Sequence, residues 1–265
     1  MLLSLALSAL FGVLVSLVAN YFVMTVKWFA TLRLLSNSFF EMNGLLFAPI
    51  LWLFLAVFTL YFVRKIFGID RWHGPADAVY ACHRIDNELD LKKGIGSTFA
   101  ALVSLCGGAP VGQYGPLVNF GATIGSFVSE FLKARAFTPE ILMGCGVAAA
   151  ISAGFHAPIA GIIFAHEAVL RHFSLRALVP IAVASATSAA FGNWAFGGSA
   201  LFSIDVLAPE LLPLMPALII SGIAFGLAAL AYMNLIFFFA AMPPKYNLGY
   251  LPFALSAALI TGIFG

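Results

Sequence analysis

Charge is what this sequence has least of. Among its 265 residues, 13 are Lys or Arg and 11 are Asp or Glu, so charged residues make up 9%, whereas soluble domains carry roughly a quarter. The net charge of +2 gives no field that would attract nucleic acid. The three cysteines, Cys82, Cys106 and Cys145, lack the spacing of a zinc site or a disulfide framework. These scarcities argue against a soluble domain, a nucleic-acid partner and a cysteine-based metal centre.

Apolar residues are abundant instead. Hydrophobic residues reach 62% and include 27 Phe, and the mean hydropathy is +1.03. One globular core of this length could not hide that much apolar surface from water. The excess must face lipid, so we expect an integral, multi-pass protein of the plasma (inner) membrane.

The positions of the charges predict an orientation. Residues 1–26 carry no charge, no basic region and no small-residue cleavage site, so we expect a retained helix rather than a signal peptide. A second apolar span covers 45–63 and is closed by Arg64 and Lys65. Further Lys and Arg follow, so the positive-inside rule places the segment 64–93 on the cytoplasmic side.

Beyond residue 93 the apolar stretches become too short to cross a membrane alone, and Gly and Pro separate them. These stretches cover 94–106, 116–132, 141–153 and 157–170. Irregular backbone at membrane depth is tolerated only where it is buried in protein or lines a watery cavity. Half-helices of this kind are typical of transporters and channels. Longer spans return at 177–195, 211–242 and 250–264.

Two joints between these stretches carry the candidate chemistry. In each, a Gly-Pro pair stands where a helix would begin, a position that proline favours. Two helix N-termini aimed at one place would bind an anion through backbone dipoles, without a full cationic charge. Alternatively, each Gly-Pro pair simply marks a turn. The candidate anion-binding residues are His73, Gly74, Pro75, Gly112, Gln113, Tyr114, Gly115 and Pro116.

The same residues resemble the CLC family of chloride channels and chloride/proton exchangers. The stretch GGAPVGQYGPLVNFGATIG at 107–125 resembles the family's GREGP region, and GCGVAAAISAGFHAPIAGIIFAHEAVL at 144–170 is similar to the stretch that ends in FNAPLAG and an acidic pair. The separation from Gly74 to Pro116 also matches that between the family's GSGIP and GREGP motifs. The resemblance covers about 1–265, which is the first half and the opening of the second half of a typical member.

The resemblance implies an all-α polytopic membrane protein of the CLC fold, with inverted repeats and broken re-entrant helices. The whole of 1–265 would be one transmembrane anion-pathway domain, with a first repeat to about 200 and a second beginning at about 210. It implies a homodimer with one pore per subunit, small anions such as chloride as the transported ligand, no cofactor and no enzymatic activity. No counterpart of the second-half GxFxP motif is present, so we expect the natural protein to be longer.

Departures from the family pattern fall on the anion path. The gating glutamate of GREGP is replaced by Tyr114, whose phenol is uncharged at neutral pH and can only block sterically or donate its O–H. Gln113 replaces the basic residue before it. The serine of GSGIP falls at His73, whose ring can donate an N–H and gains a charge when protonated. Alternatively, His73 turns away and leaves the binding to the backbone.

Proton handling departs as well. The family's internal proton-transfer glutamate corresponds to Ala168, which carries no proton. Its neighbour Glu167 is an intramembrane carboxylate, which is a functional candidate by default; the alternative is a structural partner for Arg171 or His172. We also expect His156 to be a buried, hydrogen-bonded residue rather than a ligand.

Two further signals have plain interpretations. His166 and His172 are six residues apart, which does not fit the i, i+4 spacing of a helical zinc site, so no metal is expected. Gly121 and Gly125 have the Gly-x-x-x-Gly spacing of close helix packing.

Passive conduction of chloride or similar anions, channel-like or uncoupled from protons, follows from these departures as the preferred function. One alternative is a chloride/proton exchanger in which Glu167, His73 or His166 carries protons by another route. The other is a non-conducting membrane-interaction protein in which Tyr114 plugs the pore.

Overall fold

The computed structural model describes residues 2–39, 41–42, 45–46, 48–84, 88–132, 138–197, 211–245 and 249–264. This part of the chain is helical apart from one short strand pair, which confirms the all-α fold class. The helices are α1 (Leu2–Phe39), α2 (Ala48–Phe67), α3 (Pro75–Cys82), α4 (Leu91–Gly107), α5 (Tyr114–Leu132), α6 (Pro139–Phe155), α7 (Pro158–Phe164) with a π-helical segment (Ala165–Leu170), α8 (Leu175–Phe196), α9 (Leu211–Lys245) and α10 (Tyr250–Phe264). Strands β1 (Glu41–Met42) and β2 (Leu45–Leu46) pair antiparallel.

Four of the described helices contain segments long and apolar enough to cross a membrane. These segments are Ser4–Ser36, Ala48–Phe67, Leu175–Phe196 and Pro213–Ala241. The span predicted at 45–63 begins three residues later in the structure, because Pro49 lies in the first turn of α2 and proline favours that position. The first helix runs past the predicted residue 26 to Phe39, and includes Lys27 and Arg33.

The chain divides into two compact units. One comprises Met1–Leu201 with Ala258–Gly265, and the other comprises Phe202–Ala257. In the second unit, the described α9 side chains from 213 to 241 are exposed except Ser221, which is half-buried. A helix that is apolar on all sides suits a lipid or protein environment rather than water. The boundaries predicted for the two inverted repeats stay a prediction.

Helix α6 lies at the centre of the first unit, and its residues 142–154 are all buried. It packs against α5 so closely that a Cβ added to Gly121 would overlap the carbonyl of Gly146, and one added to Gly146 would overlap that of Gly121. One turn later, a Cβ on Gly125 would lie 2.5 Å from the carbonyl oxygen of Leu142. The prediction that Gly121 and Gly125 are packing residues is confirmed.

The predicted break after α6 is present. His156 has a positive φ of 53° and ends α6, and its Nδ1 lies 3.2 Å from Asn193 Oδ1. It is hydrogen-bonded as expected, but it is half-buried rather than buried. After α7 the helix widens into the π-helical segment and ends at Arg171, whose φ is 57°. Single π-helical turns occur frequently at functional sites.

Candidate anion site

The two Gly-Pro joints meet at one cavity of about 220 Å³ in the first unit. Five of the eight predicted anion-binding residues line it, namely His73, Gly74, Pro75, Gly112 and Pro116. Gly115 lies beside it, since a Cβ added there would be 3.4 Å from Pro75 Cγ. Gln113 and Tyr114 do not line this cavity. The structure therefore brings the N-terminal ends of α3 and α5 together.

Helix α4 holds both joints through two consecutive hydroxyl residues. The backbone N–H of His73 donates to Ser97 Oγ at 2.9 Å. The next residue, Thr98, places its hydroxyl 3.2 Å from the carbonyl oxygen of Pro116 in the first turn of α5. Because Ser97 and Thr98 are neighbours on one rigid helix, they fix the distance between the two joints.

The N-terminus of α3 is satisfied by its own side chains. The N–H of Gly74 donates to Asp77 Oδ2 at 2.8 Å, which is the acidic half of a capping box, since glycine has no side chain to complete it. Asp77 is also ion-paired with Arg71. Pro75, the first helical residue, has no N–H to offer. This helix end therefore presents few free donors to the cavity.

The N-terminus of α5 is open. Within the described residues, no acceptor is paired with the N–H groups of Gln113, Tyr114 or Gly115, and a helix leaves its first N–H groups without an intrahelical partner. Asp and Glu are absent from the first turn of this helix. These donors and the positive end of the helix dipole are what an anion would use.

Tyr114 packs away from the cavity. Its ring is stacked on Phe155, with centroids 4.0 Å apart and planes tilted by 37°. A Cβ on Gly154 would overlap the ring, so the glycine there makes room for the phenol. No hydrogen bond of the Tyr114 hydroxyl is present in the described chain. Its role as a gate stays a prediction, since the ring does not fill the cavity in this conformation.

His73 borders two cavities at once. Besides the 220 Å³ cavity, it lines a second one of about 520 Å³. Its Nδ1 atom is buried and has no hydrogen-bond partner. The charged residues around the second cavity are Arg71, Asp77, Arg84, Glu88, Asp90, Lys93 and Glu130. The imidazole therefore lies between a cavity lined by charged residues and one whose described lining contains no Asp, Glu, Lys or Arg.

Sequence reasoning missed Ser97 and Thr98. Their signal was a pair of hydroxyl residues inside the short apolar stretch 94–106, but which joint each residue contacts depends on how α4 is rotated. Ser104, Trp72 and Leu60 also line the cavity and were not predicted.

A family model described as voltage gated chloride channel matches residues 55–265. This is most of the chain. The chain belongs to the voltage gated chloride channel (CLC) family. The matched region contains both joints, the cavity and the π-helical segment, so the predicted family resemblance is confirmed.

Curated relatives of this CLC chain carry names of both functional classes. A putative chloride channel protein ClcB-like from Ralstonia nicotianae is 30% identical over 49% of this chain and 32% of its own length. The H(+)/Cl(-) exchange transporter ClcA from Yersinia pseudotuberculosis is 26% identical over 88% of this chain and 50% of its own length. The chain thus spans half or less of the length of these relatives.

Solved structures show the same fold. A slow cyanobacterial Cl-/H+ antiporter superposes on this CLC chain with a TM-score of 0.77 at 20% identity. The superposition covers 98% of this chain and 63% of the antiporter chain. A CLC-type fluoride/proton antiporter gives a TM-score of 0.70 at 23% identity, with 98% and 65% covered. At this identity the likeness establishes the CLC fold and no activity.

The position that the resemblance links to internal proton transfer, Ala168, and its neighbour Glu167 lie in the π-helical segment. Ala168 is half-buried and Glu167 is exposed. The expected pairing of Glu167 with Arg171 or His172 is not formed: His172 Nδ1 lies instead 2.9 Å from the Leu170 carbonyl oxygen. The positive φ of Arg171 turns the chain out of the helix, so the i, i+4 geometry needed for the ion pair is lost.

His166 is the buried titratable group of the same segment. It is 0% exposed, stacks on Phe173 with ring centroids 5.1 Å apart, and places Nδ1 3.0 Å from the Ile162 carbonyl oxygen. Its Nε2 atom is buried without a partner.

Proposed function

We propose that this CLC chain forms part of a passive path for chloride or similar small anions, channel-like and uncoupled from proton movement. The observation that supports this proposal is the 220 Å³ cavity, where the open N-terminus of α5 meets the loop before α3. None of its described lining residues is a carboxylate. An anion entering the cavity meets the hydroxyl groups of Ser97 and Ser104 rather than a fixed negative charge, and the free N–H of Gly115 lies beside it.

Dipoles rather than full charges suit a site through which ions pass. Conduction requires binding that is strong enough to replace water and weak enough to release the ion. The free N–H groups at the start of α5 carry a fraction of a positive charge, and they are fixed in place by Thr98 and by the close crossing of α5 with α6.

Two side chains support the absence of proton coupling. Tyr114 stands at the gate position, and its phenol is uncharged at neutral pH, so it neither mimics an anion nor needs neutralising before one can pass. Ala168 stands at the internal proton position and has no titratable group. The chain therefore has no carboxylate at either of the two positions that the family resemblance would assign to proton transfer.

A coupled exchanger is the second candidate, and the position of His73 favours it. Its imidazole borders both the charged cavity and the candidate anion cavity, and its Nδ1 is buried without a partner. A histidine so placed could carry a proton between them, and His166 offers a second buried ring. One curated relative is named as an H(+)/Cl(-) exchange transporter.

Anion and proton flux measured together distinguish these functions. The protein reconstituted in sealed vesicles should show electrogenic chloride efflux without proton movement, with a proton ionophore as the control. Proton uptake driven by a chloride gradient in fixed ratio would replace the uncoupled mechanism by exchange. The absence of any flux would favour a non-conducting protein that keeps the fold.

We further infer that the chain works as a homodimer in the plasma membrane, and is not an enzyme. The surface of α7 and α8 supports an apolar partner or lipid: Ile159, Leu175 and Trp194 are 72%, 85% and 82% exposed. Cross-linking of single cysteines introduced at Leu175 and Trp194, in membranes, should give a dimer band if this face pairs with a second copy.

A further inference from the structure

Arg33 is a cation near the end of a membrane span, and no described residue is paired with its guanidinium. It lies in α1, three residues before the end of the apolar segment Ser4–Ser36. Its Nε atom is buried and has no hydrogen-bond partner, and the guanidinium forms no ion pair with a described residue. The side chain is half-buried, so its Nε–H has lost water without gaining a protein acceptor, which is unfavourable. The residue therefore calls for an anionic group from outside the described chain.

A cavity of about 700 Å³ lies beside this guanidinium. Apart from Arg33 itself and Thr261, the side chains around it are apolar; they include Ala30, Leu34, Pro49, Leu53, Pro110 and Ile260. A small hydrated anion would gain little from such walls. An occupant that matches them carries one anionic group and a larger apolar body.

The cavity lies at the level of a membrane face. Arg33 is near the end of the first span, and Pro49 is at the beginning of the second, Ala48–Phe67. At the same level, Trp52 Nε1 donates to Ser36 Oγ at 3.0 Å, and tryptophan is enriched at membrane interfaces. Arg64 and Lys65 lie in the last turn of α2, on the predicted cytoplasmic side, so this face is the opposite one.

The C-terminus of α4 positions the guanidinium but does not satisfy it. Gly108 has a φ of 97°, and a Cβ there would overlap Arg33 Nη1, so the glycine admits the cation. The negative end of the helix dipole favours a cation at this place. The carbonyls of Ser104 and Leu105 already accept the N–H groups of Ala109 and Gly108. Within the described residues no acceptor is paired with the five guanidinium donors, so they are left for another ligand.

An apolar crevice adjoins the same helix end. A cavity of about 350 Å³ between α1, α2 and α4 also reaches Gly107, and is lined by Phe29, Trp52, Leu55, Phe99 and Leu102. Its walls are almost entirely hydrocarbon and aromatic. An acyl chain attached to an anionic group near Arg33 has this crevice within reach.

We propose that Arg33 binds the phosphodiester group of a membrane lipid in the leaflet opposite the cytoplasmic face, with the acyl chain along α1, α2 and α4. Arginine is suited to this ligand because its planar fork donates two parallel hydrogen bonds to phosphate oxygens. This lipid site is separate from the anion cavity, and the proposal does not depend on anion conduction.

Lipid retention by the purified protein tests the proposal. The detergent-solubilised protein is titrated with phosphatidylglycerol, with diacylglycerol and with inorganic phosphate, and bound ligand is counted by native mass spectrometry. Phosphatidylglycerol should bind, diacylglycerol should bind roughly tenfold more weakly because it lacks the phosphate, and inorganic phosphate should neither bind nor displace the lipid. Equal binding of diacylglycerol, or binding of inorganic phosphate alone, would overturn the proposal.

Matched variants locate the site. Arg33→Gln should weaken phosphatidylglycerol binding roughly tenfold, whereas Lys27→Gln, which removes another cation of the same helix, should leave it unchanged. Equal binding in both variants would refute the assignment. If Arg33→Gln does not fold, the unmodified protein can be labelled with a photoreactive phosphatidylglycerol. The lipid should label peptides that contain residues 30–34 or 49–53. Labelling found only elsewhere would refute the site.

Discussion

The N-termini of α3 and α5 face one cavity but are built differently. At α3, the N–H groups of His73 and Gly74 are taken by Ser97 and Asp77. At α5, the first N–H groups have no acceptor in the described chain and no acidic residue nearby in the helix. A closed helix end stabilises the protein, whereas an open one keeps its donors for a ligand. We therefore expect anion binding chiefly at α5 and a structural role for α3, although both carry a Gly-Pro pair at or near the helix start.

The largest expected effect is a loss of stability when α5 can no longer pack closely against α6. In Gly146→Ala, the new methyl group overlaps the Gly121 carbonyl at the α5–α6 crossing, so the free energy of unfolding should fall by about 3 kcal/mol. The control is Gly222→Ala in α9, where no atom lies within 4 Å of the added Cβ. It should be neutral or slightly stabilising, because alanine favours helix. Thermal unfolding in detergent measures both; equal midpoints would show that the crossing tolerates a methyl group.

A carboxylate introduced at the start of α5 should pair with the free N–H groups there, as Asp77 does at α3. The two helix starts would then no longer differ. In Tyr114→Glu, the charged side chain would occupy the free N–H groups of α5 and reduce chloride flux at neutral pH roughly tenfold or more. Acid should relieve the block, because a protonated carboxyl no longer competes with the anion.

Tyr114→Gln is the matched control, since it has nearly the same shape as the glutamate without the charge. It should show no pH-dependent block. Neither variant should exchange protons, because residue 168 is alanine. A block of Tyr114→Glu that persisted in acid would mean that the new side chain acts sterically and not through its charge.

Removing the acceptor at the start of α3 should have a smaller effect on stability. Asp77→Ala removes the acceptor of the Gly74 N–H, and should lower the free energy of unfolding by about 1 kcal/mol. Asp90→Ala removes the corresponding cap of α4, whose carboxylate accepts the Lys93 N–H at 3.0 Å, and should lower it similarly.

Anion binding should separate these two variants. Only Asp77→Ala exposes a donor at the candidate cavity, so chloride should bind it several-fold more tightly than it binds Asp90→Ala, as measured by calorimetric titration. Equal affinities in the two variants would indicate that α3 contributes nothing to the site even when its end is open.

The smallest expected effect is a pH dependence of chloride binding that comes from His73, which precedes α3. Acidification should strengthen chloride binding a few-fold, because protonation of His73 would add a positive charge at the border of the cavity, and Arg71 and Asp77 remain paired beside it. His73→Ser should flatten this pH dependence. His83→Ser, which alters an exposed histidine at the other end of α3, should not. A profile that survives in His73→Ser would place the sensor elsewhere.

Much of this architecture was predictable from local sequence. The scarcity of charge and the length of the apolar runs are properties of single segments, so they predicted the membrane class, the long spans and the broken helices between residues 94 and 170. Helix ends were less accurate: α1 continued past residue 26, because long cationic side chains such as Lys27 can extend to water while their helix stays in the membrane.

Within the candidate site, local sequence was enough to identify the residues near the two helix starts, and the family resemblance indicated that Tyr114 and Ala168 stand where other members have carboxylates. The folded structure was needed to show that Asp77 accepts the N–H at the start of α3, that Ser97 and Thr98 bind both starts to α4, and that Arg33 reaches Gly108. Composition and helix starts depend on neighbours along the chain. A hydrogen-bond partner depends on how each helix is rotated and which helix packs against it, and that rotation is set by contacts such as Gly121 with Gly146, far apart in sequence.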